Sequence, residues 1–164
     1  MSGASDAIAR LRDGDLTSWT GLPAGTRPAD LEPAVDAPGD APAMAGLGLR
    51  KALVRYGALA GTDLDAEVWV SPESAEVWLV AIGDPPFAGT PEHVLAQLGP
   101  PPLRLDNALG TVSLPGSEWV YPERGLTVFA DEEDERVWRV ALFTPSRPEE
   151  YEERYRVFLG QRRR

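Results

Sequence analysis

Apolar residues recur along the chain at the spacings that helices require. A cap at Ser5 or Asp6, followed by Ile8 and Leu11 on one side, predicts a first helix through Arg12. The same reasoning, from a cap, a proline in the first turn or apolar residues at i, i+4 and i+7, predicts three more helices. They lie near 27–36, from Thr90 to Gly99, and over Glu149–Leu159, where Tyr151, Tyr155, Phe158 and Leu159 form the apolar stripe.

Runs rich in Val, Trp and Leu predict two sets of three β-strands. The first set covers Leu49–Tyr56, Ala66–Ser71 and Glu76–Gly83, and the second covers Glu118–Tyr121, Leu126–Asp131 and Arg136–Phe143. A turn over Pro72–Ala75 joins two strands of the first set. The segment from Asp36 to Gly48 is rich in Pro, Gly and Ala, and this composition is typical of a surface loop.

The chain contains an internal repeat. Ala66–Ile82 aligns without a gap on Leu126–Leu142, at an offset of 60 residues. Identical residues recur at six positions of the first copy, namely Val68, Glu73, Val77, Trp78, Val80 and Ala81. A period of this length indicates one supersecondary unit used twice. We therefore predict an α+β fold of two tandem repeats, each a helix plus a three-stranded antiparallel meander, with terminal helices. The predicted boundaries are 1–23 for an N-terminal helical segment, 24–86 and 87–146 for the repeats, and 147–164 for a C-terminal helix and basic tail.

Side chains alternate between the two faces of a strand, which predicts what each face of the hairpins carries. A four-residue turn would place Trp69 opposite Trp78 and Phe129 opposite Trp138, with Trp78 and Trp138 on the face that the helices cover. The other face is then also apolar, so something must cover it. We predict that a partner protein does so, through Val68, Val70, Val77, Leu79 and Arg139, with Trp19 and Trp119 as anchors. The alternative is intramolecular: the N-terminal segment or the C-terminal helix, with Tyr151, Tyr155 and Phe158, folds over this face.

The charge of the chain favours some partners over others. The 164 residues carry a formal net charge of −10 and include no cysteine. An acidic surface repels phosphate backbones, so a nucleic-acid partner is not expected, and it attracts basic proteins. The N-terminus lacks the pattern of a signal peptide and no apolar run is long enough to span a membrane, so we expect a cytoplasmic protein without a membrane partner.

Candidate chemistry is sparse. His93 is the only histidine, and its position beside Glu92 on a predicted helix is typical of an exposed surface residue. The run Asp131–Glu135 consists of five acids, but it occupies a hairpin turn and lacks the glycine-broken alternation of a Ca²⁺ loop. It is either a solvated turn or a docking knob for a basic partner. We expect no cofactor, no metal and no catalytic residue.

The second unit resembles the SmpA/OmlA-type module of outer-membrane-assembly lipoproteins. The residues that carry the likeness are Gly89–Pro101, then Glu118–Pro122 and the two strands that follow. The tandem arrangement is similar in layout to the β-lactamase inhibitory protein family. The resemblance implies a non-enzymatic binding scaffold, although the chain has no lipobox cysteine and no disulfide.

We therefore predict a non-catalytic protein-binding module that acts as a stoichiometric inhibitor, immunity or adaptor protein. One alternative is a small-molecule-binding or enzymatic domain that uses the cleft between the repeats. Its polar residues would be Arg104, Asp106, Glu118 and Arg124. A second alternative is a homodimer or larger homo-oligomer that pairs through the apolar sheet face.

Overall fold

One antiparallel sheet organises the molecule. The computed structural model describes residues 3–31, 41–45, 50–58, 64–109, 112–156 and 159. Within these ranges the sheet has eight strands in the order β1-β2-β3-β4-β8-β7-β6-β5. The strands are β1 (Ala41–Ala45), β2 (Arg50–Ala58), β3 (Asp65–Val70), β4 (Val77–Gly83), β5 (Leu103–Leu109), β6 (Val112–Tyr121), β7 (Leu126–Asp131) and β8 (Arg136–Phe143).

The described helices are short. They are α1 (Gly3–Arg12), α2 (Pro91–Leu98) and α3 (Pro148–Tyr151), and a π-helical turn over Glu152–Arg156 follows α3 directly. The predicted end of α1 at Arg12 is confirmed, but the helix begins at Gly3, so the predicted caps Ser5 and Asp6 lie inside it. Both predicted ends of α2 are confirmed: the Thr90 hydroxyl accepts a hydrogen bond from the His93 amide at 3.2 Å, and Gly99 ends α2 at a φ of 75°. Of the helix predicted near 27–36, the described residues contain a 3₁₀ turn over Pro28–Leu31, and the remainder lies outside them.

The predicted fold class, two repeats that each combine a helix with a three-stranded meander, is wrong. The strands of both halves belong to one sheet, because β4 pairs with β8 and joins the halves through their backbones. In two separate meanders, β4 and β8 would be edge strands with one unpaired side. In the single sheet they lie at the centre, and each has a neighbouring strand on both sides. The result is mostly sheet, with few helical residues.

The junction between β4 and β8 has a local two-fold symmetry. Ala81 pairs with Ala141, its own counterpart at the repeat offset. On either side of this pair, Val80 pairs with Leu142 and Ile82 with Val140. The repeat seen in the sequence therefore relates two hairpins, β3–β4 and β7–β8, that lie side by side in one sheet.

Both hairpins contain a β-bulge at the same repeat position. Trp69 pairs with Leu79 and Val70 with Val77, so Trp78 is an extra residue on its strand. Trp138 is the extra residue of β8 in the same way, because its neighbours Val137 and Arg139 pair with Ala130 and Phe129. The predicted pairs Trp69–Trp78 and Phe129–Trp138 are therefore wrong, and both bulged tryptophans pack on the face opposite to the one predicted.

The outer strands β1 and β5 were not predicted. β1 lies inside the segment Asp36–Gly48 that was expected to be a loop, and its Pro42 is tolerated because an edge strand has one side without a ladder partner. β5 follows three prolines at the other edge of the sheet. Prolines within or just before these strands are typical of loops, which explains why the composition of the two segments does not indicate strands.

Each face of the sheet is covered by the chain itself. On one face, α1, α2 and the segment between Leu16 and Leu31 pack on strand residues from both halves, among them Val80, Ile82, Val140 and Leu142. On the other face, Tyr151, Tyr155 and Leu159 pack on Val54, Trp69, Leu79, Phe129 and Phe143. The fold is a three-layer arrangement with the sheet in the middle.

Candidate functional site

The residues predicted to bind a partner are all inside the protein. None of the seven is more than 5% exposed. They are divided between the two faces: Val68, Val70, Val77, Trp19 and Trp119 belong to the core beneath α1 and α2, whereas Leu79 and Arg139 lie on the opposite face. These side chains therefore offer no continuous contact surface to a partner, and of the seven only Trp119 borders a cavity described below.

The C-terminal segment covers the second face in the way that the intramolecular alternative described. The Phe143 ring lies 5.1 Å from that of Tyr151 and 4.8 Å from that of Tyr155. Such ring pairs add to the free energy gained from burial alone. Phe158, which was predicted to take part, lies outside the described residues.

Buried charges hold this segment in place. The Tyr151 hydroxyl donates to Glu118 at 3.0 Å, and Arg156 Nε donates to the same carboxylate at 3.2 Å. Farther along the face, Arg139 donates to the Leu159 carbonyl at 3.2 Å and lies 3.6 Å from Glu67. Burial, reinforced by the negative charge of Glu118, raises the pKa of Tyr151 well above its ordinary value. These groups serve the docking of the segment.

The acidic turn between β7 and β8 lies on the surface of the helix-covered side. Asp131 Oδ1 accepts hydrogen bonds from the amides of Glu133 and Asp134, and Glu135 has a φ of +50°. The turn of the first repeat has the same construction, with Ser71 in place of Asp131 and Ala75 at the positive φ. Because the first-repeat turn forms without a run of acids, the additional acids of the second-repeat turn are not needed for its geometry.

Two adjoining cavities flank the acidic turn, and we call them together the acidic cleft. The first has a volume of about 340 Å³ and lies between the N-terminal turn of α2 and the acids of the turn. Glu92, Glu132 and Glu135 provide its charge, and Trp119 and Leu95 provide apolar surface. Leu95, at 39%, is the exposed large hydrophobic side chain among those whose burial is described.

The second cavity lies nearer to the edge of the sheet. It has a volume of about 350 Å³ and is lined by Arg104 and Asp106 from β5 and by acids of the turn, Asp131, Glu132 and Glu133. Glu132 belongs to both cavities. Its carboxylate forms an ion pair with Arg104, whose guanidinium carbon lies 5.6 Å from the centre of the Trp119 ring. The Arg104–Glu132 pair therefore stands where the two cavities meet.

The polar residues of the predicted inter-repeat cleft do not converge on one place. Arg104 and Asp106 line the second cavity, but Glu118 lies under the C-terminal segment on the other face. Arg124 donates to the carbonyls of Thr17 and Trp19 at 3.3 and 3.1 Å, which ties the N-terminal segment to the turn after β6.

His93 takes part in a structural contact on α2. One of its ring nitrogens lies 2.6 Å from the side-chain nitrogen of Gln97. Gln97 in turn donates to the Gly14 carbonyl at 2.9 Å and accepts from the Leu16 amide at 2.8 Å. Across the described ranges, no three His, Cys, Asp or Glu side chains are grouped so that they would hold a metal ion.

Sequence reasoning identified parts of the acidic cleft, namely the acidic turn, Trp119, Arg104 and Asp106, but it assigned them to different functions and did not combine them with α2. The residues that complete it, Glu92 and Leu95, lie some forty positions earlier in the chain. A signal was available in the comparison of the two repeat turns, because only the second carries a run of acids that the turn itself does not need.

Comparison with other proteins gives no assignment: no protein-family model, curated protein or solved structure matches the chain. The resemblance to the SmpA/OmlA-type module stays a prediction. Among the residues that the structure describes, no helix has the length and apolar character needed to cross a membrane.

Proposed function

We propose that the protein is a non-catalytic binding module that acts stoichiometrically, as an inhibitor, immunity or adaptor protein, on a basic protein partner. The acidic cleft is the proposed contact surface, and the cytoplasm is the proposed location. The observation that carries the proposal is the surplus of acids on the second-repeat turn, placed beside an aromatic and apolar cavity wall.

The lining of the acidic cleft is complementary to the long basic side chains. Lys and Arg have an apolar stem and a charged head, and they bind where an apolar wall lies next to carboxylates. Pro91, Leu95 and Trp119 supply the wall, and Glu92, Glu132 and Glu135 supply the carboxylates. The net charge of −10 would speed the encounter with a basic surface at moderate ionic strength.

The cleft acids test this proposal directly. We expect the triple variant Glu92→Gln/Glu132→Gln/Glu135→Gln to bind an acetylated, amidated hexa-arginine peptide about tenfold more weakly than the unmodified protein, since it loses three charges at the contact. Isothermal titration calorimetry at low and at physiological salt measures the change. Capture of basic proteins from a host lysate by both proteins extends the comparison to natural partners.

A matched control separates a local site from the overall charge. Glu73→Gln/Glu123→Gln/Glu153→Gln removes the same three charges at exposed positions that do not line the cleft. We expect this control to retain most of the affinity. Equal weakening in both triple variants would show that the peptide responds only to net charge, and the proposal would fail.

A further inference from the structure

Arg104 lies in the acidic cleft, whose negative charge is complementary to a basic side chain of a partner. We propose that Arg104 is an internal occupant of a subsite in the acidic cleft, and that an arginine side chain of the partner displaces it. This inference rests on the function proposed above and adds the identity of the recognised group. It also assigns Arg104 a regulatory effect, because the internal occupant competes with the partner.

The subsite has the features that a guanidinium recognises. The Arg104 guanidinium carbon lies 5.6 Å from the centre of the Trp119 ring, within the range of a cation–π contact. Trp119 is 1% exposed, and its Nε1 donates to the Ser117 hydroxyl at 3.0 Å, so the orientation of the ring is fixed. Glu132 supplies the carboxylate beside the ring. A planar guanidinium can both stack on the ring and pair with the carboxylate, which an ammonium does less well.

The internal occupant is easy to displace. The side chains of Arg104 and Glu132 are 54% and 50% exposed, and ion pairs of this exposure contribute little to stability. Arg104 projects from β5, the edge strand of the sheet, and the side chain is exposed. Its neighbours Leu103 and Leu105 pack on the opposite face, so Arg104 can leave the subsite without disturbing their contacts.

The carboxylates around the pair favour an incoming cation. Glu132 lines both cavities. The other acids are Glu92 and Glu135 in the first cavity and Asp106, Asp131 and Glu133 in the second. One internal arginine therefore faces six acids across the two cavities, so the cleft keeps a net negative charge while Arg104 is in place. An arginine from outside would meet the same ring and carboxylate, with further acids beside it.

Removal of the internal occupant tests the inference. We expect Arg104→Met to bind the hexa-arginine peptide about three- to fivefold more tightly than the unmodified protein, because the subsite is then free in every molecule. The matched control is Arg136→Met. It removes the same charge and breaks an exposed ion pair, between Arg136 and Asp84, but Arg136 does not line either cavity. Calorimetric titration with hexa-arginine and hexa-lysine measures both effects, and urea unfolding confirms that each variant is folded.

The displacement of Arg104 and the proposed binding function can fail separately. A gain in Arg104→Met that exceeds the gain in Arg136→Met, is larger for hexa-arginine than for hexa-lysine, and disappears in Arg104→Met/Glu132→Gln supports the inference. Equal affinity in the two single variants, or weaker binding by Arg104→Met, overturns it, while the proposed function stands if the cleft triple variant still loses affinity. If the unmodified protein and all variants fail to bind either peptide, the displacement of Arg104 and the proposed binding function are both wrong.

Discussion

Replacing Glu118 with alanine will lower the free energy of unfolding by about 3 kcal/mol, a large part of the stability of a domain of this size. The side chain is 2% exposed and is the shared acceptor for Tyr151 and Arg156. Its removal leaves the tyrosine hydroxyl buried without this acceptor and the guanidinium without its counter-charge. Urea unfolding followed by far-ultraviolet circular dichroism measures the loss.

Controls distinguish the buried carboxylate from a general effect of lost charge. Glu123→Ala removes an exposed acid on the turn after β6 and should change the free energy of unfolding by less than about 0.5 kcal/mol. Tyr151→Phe removes the hydrogen bond that the hydroxyl donates to the charged Glu118 and should cost about 2 kcal/mol. The double variant should cost less than the sum of the two, because both substitutions remove the same contact.

Limited trypsin digestion shows where the loss arises. The bond after Arg154 lies in the π-helical turn that Glu118 holds through Arg156. If Glu118 docks the C-terminal segment, cleavage in that turn will become faster in Glu118→Ala than in Glu123→Ala. An unchanged digestion pattern together with unchanged stability would show that the aromatic contacts with Phe143 suffice to hold the segment.

Local signals predicted the hairpins because they combine strand-forming runs with short turns. The acidic turn lies between Asp131 and Arg136, as the charge run indicated, and the Thr90 cap and Gly99 define α2. The bulges at Trp78 and Trp138 were not predicted, since a bulge changes the pairing without leaving a mark in the alternation of apolar residues. One extra residue per hairpin, at the bulge, was enough to reverse the assignment of both tryptophans to a face.

Long-range pairing explains the larger error in the fold class. Nothing in β4 or β8 alone shows that the two strands pair with each other, because both carry apolar residues on each face and would fit separate layers equally well. The acidic cleft depends on the same kind of information. Its Glu92 and Glu132 come from different elements and meet only because α2 packs across the sheet.

Alkaline pH will destabilise the protein through two tyrosines. Burial raises the pKa of Tyr121 to about 12, and burial followed by the charge of Glu118 raises the pKa of Tyr151 well above its ordinary value near 10. In the unfolded chain both hydroxyls lose their protons near pH 10. Between pH 10 and about 12 the unfolded state therefore binds fewer protons than the folded state, and stability falls as the pH rises.

The expected slope is set by proton linkage. Tyr151 contributes up to about 1.4 kcal/mol per pH unit above pH 10, and Tyr121 adds a smaller amount until the pH approaches 12. Below pH 10 neither tyrosine changes the stability. Urea midpoints at pH 8, 10 and 11, with tyrosinate absorbance at 295 nm, measure the effect, and the single lysine, Lys51, limits the competing titration in this range.

Variants without the hydroxyl groups assign the slope to its source. Tyr151→Phe will be less stable than the unmodified protein at pH 8, but its stability will fall less steeply above pH 10, since one of the two linked protons is gone. Tyr121→Phe removes the hydroxyl that donates to the Gly99 carbonyl at 2.9 Å and will reduce the slope by a smaller amount. A slope that stays the same in both variants would mean that neither hydroxyl keeps its proton in the folded state, and this account of the alkaline transition would be wrong.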